Sequence, residues 1–218
     1  MNKKKLKFTD LFCGIGGFHL AFHNLKLDCV AACDNNPKAR KTYETNFMAI
    51  SPKLFKQKMF LDDIETIKGP ELPDFDVLCA GFPCQPFSQA GFKKGFADKG
   101  RGTLFFDIAR IVKAKRPAAL FLENVRGIVK HDDGRTLETI RAIIDELGYS
   151  FEMKVVKATE YGLPQHRPRA FMICFDKSQL KSDAPAFTFP KPVAKLKFNM
   201  SDVWNGQCDR EVGFTLRC

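Results

Sequence analysis

Hydrophobic and polar positions along the chain follow a repeating pattern that predicts alternating strands and helices. Short apolar runs, typical of strands buried on both faces, alternate with longer segments in which apolar residues recur every three or four positions, as in amphipathic helices. We predict strands at residues 6–12, 28–33, 58–60, 75–80, 118–122, 149–158 and 170–175. We predict helices at residues 18–25, 39–47, 103–115 and 135–147.

This alternation predicts an α/β fold with a Rossmann-like, doubly wound sheet that is mostly parallel. The last two strands are joined by residues 159–169, a proline-containing connection too short for a helical crossover, so we expect the last strand to be antiparallel. The periodicity is lost after Phe175, where Pro, Lys and Phe dominate. We therefore place one domain at residues 1–177 and treat residues 178–218 as a linker and the start of an incomplete second domain.

Composition narrows the class of protein. The chain has 218 residues, of which 44% are hydrophobic, enough for one large domain. No apolar run approaches the roughly 18 residues of a membrane span and no signal-type segment follows the basic start, so we expect a cytoplasmic protein without membrane contact. The eight cysteines show no paired CxxC spacing. They argue against a metal site of the zinc type and against a disulfide scaffold.

Positive charge is in excess and partly clustered. The formal net charge is +10, which suits a polyanionic partner such as nucleic acid, although a solvated basic surface explains it equally well. Four basic residues lie in one glycine-rich segment, namely Lys93, Lys94, Lys99 and Arg101. We expect this segment to be a loop beside the chemistry proposed below.

A glycine-rich turn follows the first predicted strand. Gly14, Gly16 and Gly17 leave backbone amides and a helix N-terminus open to a ligand, although a tight structural turn is an alternative. Asp34 ends the second strand about 20 residues further on, where a carboxylate can bind both hydroxyls of a ribose. Asp63 follows the third strand and suits either an adenine amine or the cap of a helix. Together these residues indicate an adenosine-containing cofactor.

Cys84 lies in the loop that follows the fourth predicted strand. Pro83 and Pro86 restrain this loop, and the neighbouring side chains are polar or basic. An electropositive setting lowers the pKa of a thiol and favours the nucleophilic thiolate. An inert structural cysteine is the alternative.

Polar residues also end the fifth strand and precede the last one. Burial of Glu123 would raise its pKa and let the carboxyl hold a proton near neutral pH, unless this strand end faces solvent. Arg167 and Arg169 are two positions apart and project to the same side of an extended segment, where one could bind a carbonyl or phosphate oxygen. A basic surface hairpin is the alternative.

Six motifs occur in one order along the chain. They are DLFCGIGGF at 10–18, DI at 63–64, CAGFPCQPFS at 79–88, GTLFFDIARI at 102–111, ENV at 123–125 and YGLPQHRPR at 161–169. In these motifs the chain resembles the DNA cytosine-5 methyltransferases of bacterial restriction-modification systems. The resemblance extends to about Pro192 and implies the fold of S-adenosylmethionine-dependent methyltransferases. Residues 1–177 would then be the catalytic, cofactor-binding domain, and residues 178–218 would lead into a target-recognition domain.

The resemblance implies S-adenosylmethionine as cofactor and S-adenosylhomocysteine as product. The implied binding residues lie on the glycine loop and at the following strand ends: Phe12, Gly14, Ile15, Gly16, Gly17, Asp34, Asn35, Asp63, Ile64 and Pro83. Asn35 departs from the family, because several relatives carry an aromatic residue there that stacks on the adenine.

The resemblance also implies a mechanism on duplex DNA. Cys84 would attack C6 of a cytosine flipped out of the helix, so that C5 becomes nucleophilic enough to accept the methyl group. Glu123 would bind N3 and the exocyclic amine, Arg169 the O2 side, and Arg167 would assist. The loop after Cys84 would close over the base.

In this family a recognition domain and two further motifs follow. We therefore expect a truncated product, a fragment, or one subunit of a split enzyme whose partner is a second polypeptide. Alone, this chain should bind cofactor weakly and methylate specific sequences little. Two alternative functions stay open, a tRNA cytosine-5 methyltransferase and an inactive relative that only binds DNA.

Overall fold

The computed structural model describes residues 5–84, 104–181 and 186–193. Within these ranges seven strands form one sheet. They are β1 Lys7–Leu11, β2 Asp28–Cys33, β3 Phe60–Leu61, β4 Val77–Gly81, β5 Ala119–Val125, β6 Glu152–Lys157 and β7 Pro168–Phe175. Each corresponds to a predicted strand. The third begins later than predicted because Lys58 adopts a positive φ of 56° that interrupts extended backbone.

Helices connect the strands. They are α1 Gly17–Asn24, α2 Pro37–Phe47, α3 Pro52–Lys56, α4 Leu104–Lys115 and α5 Arg135–Glu146. Helix α3 was not predicted, because five residues are too few to show a helical period. Proline at its start supplies the helical φ of the first turn. In the part of the chain described, every helix is too short or too polar to cross a membrane.

The strand order is β3-β2-β1-β4-β5-β7-β6. Strands β1 to β5 are parallel, whereas β7 runs antiparallel to both β5 and β6. The predicted doubly wound sheet with an antiparallel last strand is confirmed, and that strand lies inside the sheet. The chain turns outward from β1 to β2 and β3 and then restarts at β4 on the other side of β1. Ligands bind at such a switch point, beyond the carboxyl ends of the strands.

Apolar side chains cover both faces of the sheet. Consecutive residues of β4 contribute to different clusters, Leu78 to one face and Cys79 to the other. Helices α4 and α5 pack on the first face through residues such as Ile108 and Ile144. Helices α2 and α3 pack on the second, where Tyr43 is fully buried. The two layers hold the strand ends in fixed positions relative to one another.

An extended segment, residues 186–193, runs back along the outside of the sheet. We call it the return segment. It begins near the end of β7, where the ring of Phe187 lies 5.8 Å from that of Phe175. It reaches the residues that follow β6: the Tyr161 hydroxyl donates to the Pro190 carbonyl at 2.7 Å, and Val193 N donates to the Glu160 carbonyl at 2.8 Å. The domain boundary after residue 177 stays a prediction, and residues 194–218 lie outside the described ranges.

Candidate active site

The carboxyl ends of the parallel strands lie on one side of the sheet, which we call its carboxyl edge. Three segments predicted to form the site meet there, around Gly81. In the strand pairing Ala80 lies opposite Leu11, and Gly81 lies opposite Glu123. A Cβ atom placed on Gly81 would lie 3.5 Å from Glu123 Oε2 and 3.9 Å from the Phe12 carbonyl oxygen. The glycine loop, the loop that carries Cys84 and the end of β5 therefore meet within contact distance.

The glycine loop is closed on its inner side and open on its outer side. Phe12, Gly14 and Gly16 all have positive φ, and Gly16 N donates to the Cys13 carbonyl at 2.8 Å. A Cβ on Gly16 would lie only 2.0 Å from Phe47 Cε2. By contrast, a Cβ on Gly14 or on Gly17 would meet nothing within 4 Å. The loop is thus pressed onto α2 and leaves a bare backbone surface at the start of α1.

Asp34 joins this loop to the end of β2. Its Oδ2 accepts a hydrogen bond from Gly14 N at 2.8 Å, and its Oδ1 accepts one from Asn36 N at 2.9 Å. A carboxylate oxygen can accept a second bond, so Asp34 keeps acceptor capacity for the hydroxyls of a ligand. The neighbouring Asn35 is exposed, as is Ile15 on the glycine loop.

Asp63 acts as a helix cap. Its Oδ1 accepts from Glu65 N at 2.9 Å and so caps the short 3₁₀ helix Ile64–Thr66. The capping alternative for Asp63 is therefore what the structure shows, and its contact with an adenine stays a prediction. Ile64 is buried in the core beneath this turn.

Cys84 lies at the end of the described part of its loop, after the exposed Pro83. The side chain is half-buried and packs against the core, and burial raises the pKa of the thiol. The lysines from which we predicted a thiolate-favouring field lie within residues 85–103, outside the described ranges. That prediction stays open.

Glu123 and Arg169 form an ion pair at the same edge. Arg169 Nε donates to Glu123 Oε1 at 2.8 Å, and about a fifth of each side chain is exposed, 21% for Arg169 and 22% for Glu123. Burial raises the pKa of Glu123, and the charges of Arg169 and the exposed Arg167 oppose this rise without cancelling it. The pair exists because β7 runs antiparallel, which brings its first residues to the carboxyl end of β5.

Sequence analysis gave no role to two buried polar residues near this edge. Asn124 donates from Nδ2 to the Phe82 carbonyl at 2.9 Å, and its Oδ1 accepts from Val125 N at 2.8 Å. Asp10 is fully buried in β1; its Oδ2 accepts from His19 N at 3.2 Å, and its Oδ1 has no partner among the described residues. A charged residue inside an apolar strand was the available signal for Asp10.

Known proteins resemble this chain in sequence. The family model for C-5 cytosine-specific DNA methylase matches residues 6–212. The type II methyltransferase M.HhaI of Haemophilus parahaemolyticus is 46% identical over 187 residues, covering 86% of this chain and 53% of the relative. M.DsaV of Dactylococcopsis salina is 40% identical over 217 residues, covering 100% of this chain and 58% of the relative. The chain thus spans little more than half the length of these relatives.

Solved structures share the fold at lower sequence identity. The Schizosaccharomyces pombe Dnmt2 methyltransferase superposes with a TM-score of 0.59 at 24% identity, over 79% of this chain and 50% of that one. A prophage-encoded protein of Escherichia coli superposes with a TM-score of 0.66, also at 24% identity, over 94% of this chain and 56% of that one.

Proposed function

Since the chain belongs to the C-5 cytosine-specific DNA methylase family, we propose that it transfers a methyl group from S-adenosylmethionine to C5 of cytosine in duplex DNA. The relatives with which it aligns are type II methyltransferases, and we propose that this chain likewise serves a restriction-modification system. The observation that carries the proposal is the meeting of the Cys84 loop, the Glu123–Arg169 pair and the glycine loop around Gly81.

The open side of the glycine loop fits the proposed cofactor. Open space above Gly14 and Gly17 permits close approach to the backbone, and Asp34 retains acceptor capacity beside it. We propose that the cofactor is held by Phe12, Gly14, Ile15, Gly16, Gly17, Asp34, Asn35, Asp63, Ile64 and Pro83. When bound, S-adenosylmethionine supplies an activated methyl group on a sulfonium centre.

The residues around Gly81 suit addition to a pyrimidine ring. The Cys84 sulfur, as the thiolate, forms a bond to C6, and the electron pair of the C5–C6 double bond becomes available at C5. After methylation the C5 proton leaves and the sulfur–C6 bond breaks, which restores the ring and returns the thiolate. The target base must leave the helix for Cys84 to reach C6.

Glu123 and Arg169 lower the cost of that addition. Burial raises the pKa of Glu123, which favours uptake of a proton that the carboxyl can share with N3 as negative charge develops. Arg169 fixes the carboxyl and presents its remaining donors to the O2 side, with Arg167 as a further source of positive charge. Because burial raises the pKa of Cys84 and so disfavours its thiolate, stabilisation of the ring by Glu123 and Arg169 assists the addition.

Covalent trapping tests this function. The full chain is incubated with S-adenosylmethionine and a duplex containing 5-fluorocytosine, whose fluorine blocks the final elimination. We expect an adduct on a denaturing gel that is absent in Cys84→Ser and retained in Cys29→Ala. Cys29 is a buried cysteine near the amino ends of the parallel strands, away from the proposed site. A parallel reaction adds a polypeptide that carries the remaining half of a relative.

Two outcomes contradict the proposal. One is the absence of an adduct from both reactions. The other is an adduct that persists in Cys84→Ser. Transfer of a radiolabelled methyl group to tRNA and not to duplex DNA would overturn the choice of DNA as substrate.

A further inference from the structure

Two arginines outside the predicted site bind backbone carbonyls beside the two acidic residues assigned to the cofactor. We propose that Arg40 and Arg110 are positioning residues that set the geometry of Asp34 and Asp63 for the adenosine half of the cofactor. The inference rests on the proposed function, and it adds two residues that touch neither the reacting base nor the bare surface of the glycine loop.

Arg40 extends from α2 across the ends of β2 and β3. Its Nη1 donates to the Asp34 carbonyl at 3.1 Å and to the Leu61 carbonyl, and its Nη2 donates to the Phe60 carbonyl at 3.3 Å. The guanidinium also lies 4.1 Å from the centre of the Phe60 ring. One side chain thus joins the backbone of Asp34 to the strand that leads into Asp63.

The sheet itself holds these two strand ends weakly. Strand β3 has two residues, and its pairing with β2 comprises only Ala32 with Phe60 and Cys33 with Leu61. The next bond along, from Asp34 N to the Leu61 carbonyl, is long at 3.3 Å. So short an edge pairing has little stability of its own, whereas hydrogen bonds from a charged donor are about twice as strong as neutral ones. Arg40 therefore reinforces the backbone at Asp34, whose side chain is held separately by Gly14 N and Asn36 N.

Arg110 restrains the next turn from the opposite face of the sheet. It lies on α4, and its Nη2 donates to the Ile64 carbonyl at 3.0 Å while its Nη1 donates to the Ile67 carbonyl. Asp107 orients the guanidinium, since its Oδ1 accepts from Arg110 Nη2 at 2.8 Å. These bonds hold both sides of the 3₁₀ turn that Asp63 caps. Asp34 and Asp63 are therefore in position before a ligand binds. Pre-organisation of this kind raises affinity because less conformational entropy is lost on binding.

Calorimetric titration of the full chain with S-adenosylhomocysteine tests the inference. We expect Arg40→Met and Arg110→Met each to weaken binding about tenfold, the lower end of the range seen when a group that orients a metal ligand is lost. The matched control is Arg116→Met. Arg116 makes the same kinds of contact, with the Leu147 carbonyl, Asp176 and the Tyr149 ring, but at the amino edge of the sheet. Its loss should change the affinity less than twofold.

Coupling to Asp34 separates positioning from general destabilisation. If Arg40 acts through Asp34, then Arg40→Met will weaken binding in the wild-type background and have almost no effect in an Asp34→Ala background. Arg40→Lys, which keeps the charge and at least one donor, should bind with intermediate affinity, and it provides the same test if Arg40→Met does not fold. Additive losses, or an equal loss in Arg116→Met, would overturn the inference.

The same titration distinguishes this inference from the function on which it rests. If the wild-type chain binds S-adenosylhomocysteine and Arg40→Met and Arg110→Met bind it equally well, only the positioning role is overturned. A wild-type chain that does not bind S-adenosylhomocysteine overturns the cofactor assignment, and the positioning role with it.

Discussion

Gly16 and Gly17 are adjacent, but the structure constrains them differently. Gly16 has a φ of 95° and faces the Phe47 ring, whereas Gly17 begins α1 and a Cβ there would meet nothing. We expect Gly16→Ala to lower the free energy of unfolding by about 2–4 kcal/mol, through positive φ and overpacking. Gly17→Ala should leave it unchanged or raise it by up to about 1 kcal/mol. Urea unfolding measures both values.

Ligand affinity gives the second half of this prediction. The added methyl group in Gly17→Ala occupies the bare surface where we place the cofactor, so binding of S-adenosylhomocysteine should weaken although the fold is intact. Equal losses of stability in the two variants, or unimpaired binding by Gly17→Ala, would contradict this account of the loop.

Asp10 should make stability depend on pH. Burial raises the pKa of Asp10 from 3.8 to about 8, so the folded chain holds this proton more tightly than the unfolded chain does. The contribution of Asp10 to the free energy of unfolding is therefore fully present below its ordinary pKa of 3.8, and it is lost as the pH rises toward 8. We expect the free energy of unfolding of Asp10→Asn to fall less than that of the wild type between about pH 5 and pH 8. Parallel pH curves for the two proteins would show that Asp10 does not titrate in this way.

Some site residues could be predicted from sequence and others could not, for a physical reason. Glu123 and Arg169 were noticed because polar side chains interrupt or adjoin apolar strands. No such signal marks Arg40 and Arg110, because their partners are backbone carbonyls. Most of these lie in distant segments, 46 positions away in the case of Arg110 and Ile64. Every residue has a backbone carbonyl, so the amino-acid type does not reveal which carbonyls accept a hydrogen bond from an arginine.

At the scale of elements, strand type was easier to predict than strand position. Apolar runs identified all seven strands, and the short proline-containing connection identified the antiparallel one. The position of β7 between β5 and β6 could not be predicted from the local sequence pattern. It depends on which strand at the border of the sheet has unpaired backbone groups when β7 is added. The insertion matters for the site, since it is what places Arg169 beside Glu123.

The side chain of Asn124 connects β5 to the loop that carries Cys84. Asn124 is buried and donates to the Phe82 carbonyl, two residues before Cys84. Asn124→Ala leaves that carbonyl without its donor, and we expect a loss of about 1–3 kcal/mol in the free energy of unfolding. The loop should also loosen, so that alkylation of the half-buried Cys84 becomes faster, as followed by peptide mapping.

Asn36→Ala provides a control of similar chemistry, because Asn36 caps α2 through two backbone amides away from this loop. It should lower stability without changing the rate of Cys84 alkylation. If Asn124→Ala and Asn36→Ala alter that rate equally, Asn124 does not specifically order the loop.

At the scale of the whole molecule, the net charge of +10 predicts how binding to DNA, the proposed substrate, should depend on salt. Contacts to phosphates release counterions, so affinity for duplex DNA should fall steeply as salt is raised from about 50 to about 200 mM. Fluorescence anisotropy with a labelled duplex measures this slope. An affinity that does not change with salt would show that phosphate contacts contribute little, and would weaken the proposal that DNA is the substrate.

The return segment places Val193 on the same side of the sheet as the Cys84 loop. Strand β7 ends beside Ala119, at the edge opposite Cys84, but the bonds of Tyr161 and Val193 bring the backbone back toward the carboxyl edge. A protein segment joined at this point would be tethered close to the side where we propose that the base binds. A short linker would be enough to give that segment a high effective concentration at this side. Attachment at the end of β7 would instead require a linker that spans the sheet.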